Sequence, residues 1–274
     1  MIMLMRLLVL CLALSTIPAM TGCGPKKATP EMCKSFLKLR GYRFTRDEFF
    51  RAIKGEDSLI INGFIDAGMD SNSKNNAGMT ALTYAIQNTG IKTVRILARK
   101  ADINLKDDQG NGPLHIAIIR DNEEMVELLL KARAYVNVTG KDEMVTNQSP
   151  LFAALLKDDM KLFKRLLDLG ADPNIADSGG AFPLSEACVR NGATVEPIKM
   201  LLDKGAEINK VEKNGASALT YAAQNSAIDA ATRKAIVNLL IEKGADKSLR
   251  DNTGKTASDW ARETGHPEMV EILK

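Results

Sequence analysis

One short pattern recurs along most of this chain: a polar or turn-forming residue, a leucine two places on, and an alanine three places after that. Thr80-Ala-Leu-Thr-Tyr-Ala, Gly112-Pro-Leu-His-Ile-Ala, Ser149-Pro-Leu-Phe-Ala-Ala, Phe182-Pro-Leu-Ser-Glu-Ala and Ser217-Ala-Leu-Thr-Tyr-Ala superimpose. Thr256-Ala-Ser-Asp-Trp-Ala follows with Ser258 in the leucine position, and an earlier copy fits with Asp47 opening it and Ala52 as its alanine. The anchors at 47, 80, 112, 149, 182, 217 and 256 are separated by 33, 32, 37, 33, 35 and 39 residues. A unit of that length cannot bury an apolar face alone. The copies must therefore stack, and the core must run from neighbour to neighbour.

Each opening is followed by a second apolar segment, such as Met125-Val-Glu-Leu-Leu-Leu, and most copies close on endings like Gly170-Ala-Asp-Pro-Asn and Gly205-Ala-Glu-Ile-Asn. Period and motif together resemble the ankyrin repeat, a turn plus two helices, over about residues 44–274. The resemblance implies an all-α fold: an ankyrin-repeat α-solenoid of about seven helix-turn-helix units with hairpin loops. Glu31–Arg40, with Met32, Cys33, Phe36, Leu37 and Leu39, has the spacing of a short amphipathic capping helix at its start.

The residues give physical reasons for that fold. Thr, Ser or Asp opens most first helices and can accept from an orphan backbone N–H. Pro113, Pro150 and Pro183 fall at the first helical position, where no N–H is needed. Gly68, Gly170, Gly205 and Gly244 end second helices, where a left-handed residue suits glycine. Several copies depart from the pattern. Lys100-Ala-Asp lacks the terminal glycine, Arg133 replaces it in the third copy, and Phe182 has no capping side chain. The fourth copy begins after an expanded loop, Val138–Gln148. The sixth carries an insertion near Ala227–Lys234, expected to lengthen the turn between its helices. The last copy reads as a polar end cap.

The first residues read as an address. Arg6, the apolar run Leu7–Leu14 and then small residues form an export signal over 1–22, opening at Met1 or Met5. The run is short for a membrane span, which needs about 20 residues. Met20-Thr21-Gly22-Cys23 resembles a bacterial lipobox, with Met20 where Leu is usual. That resemblance implies acylation of Cys23 and a membrane anchor through an N-terminal lipid. Gly24 in place of Asp resembles the outer-membrane sorting pattern, facing the periplasm. A soluble periplasmic protein is the alternative. Residues 23–30 are then a tether and 31–274 the repeat domain.

Composition narrows the function. The net charge is +3 and signs are interspersed, so no dense basic face for nucleic acid is visible. Of four cysteines, Cys11 lies in the leader and Cys23 at its end, which leaves Cys33 and Cys188 far apart. No disulfide framework follows. The two histidines, His115 and His266, fit repeat positions, where the family resemblance implies that His115 braces adjacent loops. With no metal-ligand spacing, no metal or cofactor is expected. Gly254-Lys255-Thr256 resembles the end of a phosphate loop, but Leu249 stands where its first glycine is required. An enzyme with an unrecognised site is the rival class, and the repeats leave it almost no spare residues.

A protein ligand and a monomeric chain are the expectation. In ankyrin stacks, ligands contact hairpin tips and the concave face of the first helices. The residue before each repeat alanine belongs to that side: Arg51, Tyr84, Ile116, Ala153, Glu186, Tyr221 and Trp260. Tyr84, Tyr221 and Trp260 are candidate aromatic anchors, with packing between repeats as the competing role. Arg120 and Arg190 follow one turn later, and Met144 and Val145 place apolar side chains on the enlarged loop.

Overall fold

A computed structural model describes residues 28–139 and 148–274. The leader, Cys23, most of the tether, Met144 and Val145 lie outside the described residues. Fifteen helices occur among those described, and β-structure among the described residues is limited to isolated bridges such as Lys74–Thr80 and Val211–Ser217. A capping helix α1 (Pro30–Leu39) precedes seven helix pairs. These are α2 (Arg46–Lys54) with α3 (Ser58–Asp66), α4 (Ala81–Asn88) with α5 (Ile91–Leu97), and α6 (Pro113–Ile119) with α7 (Glu123–Lys131). The fourth and fifth pairs are α8 (Pro150–Leu156) with α9 (Met160–Asp168) and α10 (Pro183–Val189) with α11 (Val195–Asp203). The last two are α12 (Ala218–Gln224) with α13 (Ala230–Glu242) and α14 (Ala257–Glu263) with α15 (Pro267–Leu273). First helices touch first helices down the stack, and each also packs on its own second helix.

The alanine column explains this register. Ala52, Ala85, Ala117, Ala154, Ala187, Ala222 and Ala261 are all 0% exposed, so every copy brings its first helix close to the next at the same point. A longer side chain at that contact would force neighbouring backbones apart. The leucines Leu82, Leu114, Leu151, Leu184 and Leu219 are buried beside it. Thr80, Ser149, Ser217 and Thr256 cap their helices by accepting from the N–H three residues on. In the first copy the cap is Thr45, not Asp47: α2 starts two residues earlier, and the Thr45 hydroxyl accepts from Glu48 N. The alanine alignment holds there while the opening shifts. Phe182 indeed offers no side-chain cap, and its own N–H donates instead to Ser185 Oγ at 3.1 Å.

Gly68, Gly170, Gly205 and Gly244 end their second helices at φ between 87° and 95°. Arg133 takes the same left-handed conformation at φ 62°, at a cost that an L side chain bears and glycine does not. The insertion in the sixth copy mostly lengthens α13 to 13 residues rather than the turn before it. Asp229 caps that extended helix, and Arg233 on its first turns supplies hydrogen bonds that hold the turn closed.

At the first five of the six junctions, an asparagine from one repeat ending ties it to the next. Asn72, Asn104, Asn137, Asn174 and Asn209 accept through Oδ1 from the N–H of Asp102, Tyr135, Asp172, Glu207 and Asp246, at 2.7–2.8 Å. Asn137, Asn174 and Asn209 also donate to the carbonyls of Gly170, Gly205 and Gly244. The side chain replaces a backbone partner that no strand is present to supply. At the start of the stack, aromatic residues fill the core: Phe64 lies between Tyr42, Phe44 and Phe49 at ring separations of 5.6–6.0 Å. α1 rests on α3 at Gly63, where an added Cβ would meet Leu37 Cδ2 at 3.3 Å.

Candidate protein-binding face

Because the first helices lie side by side, residues one turn apart on their open side form rows across the copies. The row before the alanines is uneven. Ile116 and Ala153 are 4% exposed, Tyr84, Glu186, Tyr221 and Trp260 are half-buried, and Arg51 is exposed. Three residues on, the next row reads Lys54, Gln87, Ile119, Leu156, Val189, Gln224 and Glu263. Its middle is aliphatic: Ile119 is half-buried, while Leu156 is 43% and Val189 37% exposed. Polar residues stand in the same position on either side. This aliphatic row escaped the sequence reading, although the copies aligned position by position carry three aliphatic residues where their equivalents are Lys, Gln or Glu.

The candidate anchors have distinct surroundings. Tyr84 packs edge-on against Phe50, with centroids 5.4 Å apart. The Tyr221 hydroxyl donates to Glu212 Oε2 at 2.6 Å and accepts from Asn214 Nδ2 at 2.8 Å. Burial, reinforced by that carboxylate, pushes the phenol up to about 12. The Trp260 indole N–H donates to Asp251 Oδ2 at 2.6 Å, beneath Lys255 Nζ at 4.3 Å from the ring centroid. Arg190 reaches back to the preceding copy, donating to Leu155 O at 2.8 Å and Asp158 Oδ1 at 2.9 Å. Arg120 is exposed at the end of α6. Each aromatic is thus held, Tyr84 and Trp260 by a ring contact and Tyr221 by its hydroxyl, which fixes its orientation at low entropic cost to any ligand.

Beside Val189 the surface turns acidic. Burial holds the Glu186 carboxyl above its ordinary range; Arg190 opposes this, and Glu212 and Asp177 add to it. Ser185 Oγ donates to Glu212 Oε1, so Glu212 accepts from two hydroxyls. This arrangement can receive an aliphatic side chain next to a cation. His115 is buried within α6, and His266 lies within 3.1 Å of Ser226 Oγ. Burial, then the Arg233 charge, holds the His266 imidazole below its ordinary value. Among the described residues, no group of three or more His, Cys, Asp or Glu is placed to hold a metal ion, and no helix is long and apolar enough to cross a membrane. Cys33 and Cys188 are free and buried, and burial pushes both thiols up.

Comparison with known proteins agrees with this architecture. The family model described as ankyrin repeats (3 copies) matches residues 49–142, 151–251 and 184–274. The chain belongs to the ankyrin repeat family, whose members are generally non-catalytic protein-binding modules. It is 29% identical over 182 residues to the ankyrin repeat protein YahD of Escherichia coli K12, covering 66% of this chain and 88% of that protein. A Treponema pallidum ankyrin repeat-containing protein is 28% identical over 166 residues, covering 60% of this chain and 54% of its own length. Among solved structures, the ankyrin repeat domain of Bcl-3 matches with a TM-score of 0.61 at 24% identity, over 81% of this chain and 97% of that one. That likeness concerns the fold alone.

Proposed function

We propose that this chain is a monomeric, non-catalytic binding module held at a bacterial cell envelope by lipid on Cys23, presenting its first-helix face to a protein ligand. The observation that carries the binding reading is the aliphatic row of half-buried Ile119 and exposed Leu156 and Val189 with the Glu186 carboxyl beside it. Exposed apolar surface rimmed by polar residues is characteristic of interaction sites. The ligand that fits is a protein segment offering aliphatic side chains next to a lysine or arginine, with Tyr84 and Tyr221 at the margins and Arg120, Arg190, Met144 and Trp260 as further contacts. The test is capture from envelope extracts by wild type and by Leu156→Asp/Val189→Asp. A protein retained by the first and lost by the second supports the reading; equal retention overturns it.

The anchoring reading rests on the Gly22-Cys23 motif behind an apolar leader. Two or more acyl chains give stable attachment. Cys23→Ser is expected to abolish acyl labelling and release the protein from the membrane fraction. Persistent labelling would overturn the lipid site, and loss of membrane association without any labelling would leave the soluble periplasmic alternative. Two roles suit such a module: an inhibitor or immunity factor blocking a toxic enzyme, and a scaffold for an envelope enzyme. A toxin or secreted hydrolase encoded beside this chain favours the first.

A further inference from the structure

The capping helix carries more than a cap needs. α1 turns Cys33 and Leu37 inward against α3 and leaves Met32 and Leu39, two turns apart on its outer side, 63% and 64% exposed. Leu59, one turn before the Gly63 contact on α3, is 57% exposed. A helix whose only task was to seal the stack would place polar side chains there. The surrounding charge is one-sided: residues 31–43 hold Lys34, Lys38, Arg40 and Arg43 against a single acid, Glu31. Lys34 is paired with Glu31 at 2.9 Å, while Lys38, Arg40 and Arg43 are exposed and have no ion-pair partner among the described residues. On α3, Asp66 is the nearby acid that acts on Cys33. Arg40 instead stands 5.5 Å over the Phe36 ring.

We infer that this end of the solenoid is a membrane-facing surface: Met32 and Leu39 enter the boundary of an anionic phospholipid bilayer while Lys38, Arg40 and Arg43 lie among its headgroups. Apolar side chains flanked by unpaired cations are what an interfacial helix presents to such a surface, and juxtamembrane Lys and Arg are attracted by anionic lipid. The occupant is a lipid surface rather than a protein groove because the cations flank a convex helix. Docking there stands the stack with its first copy at the membrane and its last copy farthest away. The inference does not depend on acylation of Cys23.

The test uses residues 28–274, which keep every core side chain of the described residues. A cooperative melt checks folding of every variant. Sedimentation is measured with vesicles of phosphatidylglycerol and phosphatidylcholine in equal parts, and with phosphatidylcholine alone. Binding is expected to the anionic vesicles only and to fall as salt rises. Lys38→Glu/Arg40→Glu/Arg43→Glu is expected to weaken it about a hundredfold, each lost cation contributing about fivefold. Lys131→Glu/Lys164→Glu/Lys199→Glu, an equal charge change on exposed second-helix positions, is expected to keep most of it. Met32→Ser/Leu39→Ser is expected to lose several-fold affinity with the salt dependence retained. Equal binding to both vesicles, no binding, or equal loss in the two charge variants overturns the inference. So does a vesicle-free dimer abolished by Met32→Ser/Leu39→Ser, which would make the face a contact between copies of this chain.

Discussion

The junction between copies three and four and the junction between copies six and seven join neighbours by different means. At the first, α7 and α9 pack less closely than other successive second helices, and a groove of about 380 Å³ opens beside them. Ion pairs span it: Asp121–Lys157 at 3.3 Å, Glu123–Lys161 at 2.9 Å, and Glu127–Arg165. At the second, α12 and α14 approach closely through Ala222 and Ala261, and Arg233 is only 4% exposed. Its Nε donates to Asn225 O at 2.8 Å, Nη2 to Ile228 O at 2.9 Å and Nη1 to Glu268 Oε1 at 3.1 Å. Solvated charges weakly bridge the first junction; at the second, a buried arginine braces the turn of copy six and from there reaches Glu268 of copy seven. In a stack stabilised by neighbour contacts, the weaker junction is where separation should begin.

The largest effect expected is from Arg233→Ala. Two carbonyls, one buried at Asn225 and one partly buried at Ile228, lose their donor and Glu268 loses its partner, which together costs about 3 kcal/mol. Hydrogen exchange should show α14 and α15 losing protection before the rest; uniform loss along the chain would break the contrast between junctions. Asn137→Ala and Asn209→Ala each remove one rung of the asparagine ladder and should cost about 1 kcal/mol. Denaturant melts should show the greater loss of cooperativity for Asn137→Ala, because its rung crosses the junction with the looser helix contact.

Arg133→Gly should sharpen the comparison from the opposite direction. Relief of the left-handed conformation at the end of α7, partly offset by greater freedom in the unfolded chain, stabilises by about 0.5–1 kcal/mol. A lower denaturation midpoint for that variant would contradict the strain. Arg165→Ala at the groove is expected to cost less, about 0.2–1 kcal/mol and vanishing in high salt, since both partners of its ion pair are about a third exposed. The last prediction concerns pH. The Thr253 hydroxyl, then the Trp260 indole and nearby backbone N–H groups, hold Asp251 down to about 2 against the cost of desolvation. A depressed carboxyl stabilises the fold above its unfolded value of about 4, and that contribution is lost as pH falls through about 2. Asp251→Asn should flatten the acid limb of the stability curve for copy seven; an unchanged limb would show that the carboxylate contributes nothing.

How much of this was legible depends on distance along the chain. The helix pairs, alanine column and glycine ends are local or strictly repeated, and the sequence displays them openly. The cap of α2 was misplaced because the first helix there is longer at its start, so counting back from Ala52 met Asp47 before Thr45. The insertion in copy six was expected in a turn because a sequence does not show that Arg233 can satisfy the carbonyls around it and let α13 grow backwards. The aliphatic row lies one turn beyond the position before each alanine, and until the first helices are packed side by side an aliphatic residue there reads equally as core.

The sequence by itself determined the architecture: an amphipathic pair repeated about every 33 residues has nowhere to bury its apolar side except against its own neighbours. Tertiary structure decided which side chains remain for anything else. Whether an arginine is a free cation like Arg120, a strut like Arg190 or a buried lock like Arg233 depends on carbonyls and carboxylates many residues away. Only three-dimensional packing brings those partners within hydrogen-bonding distance.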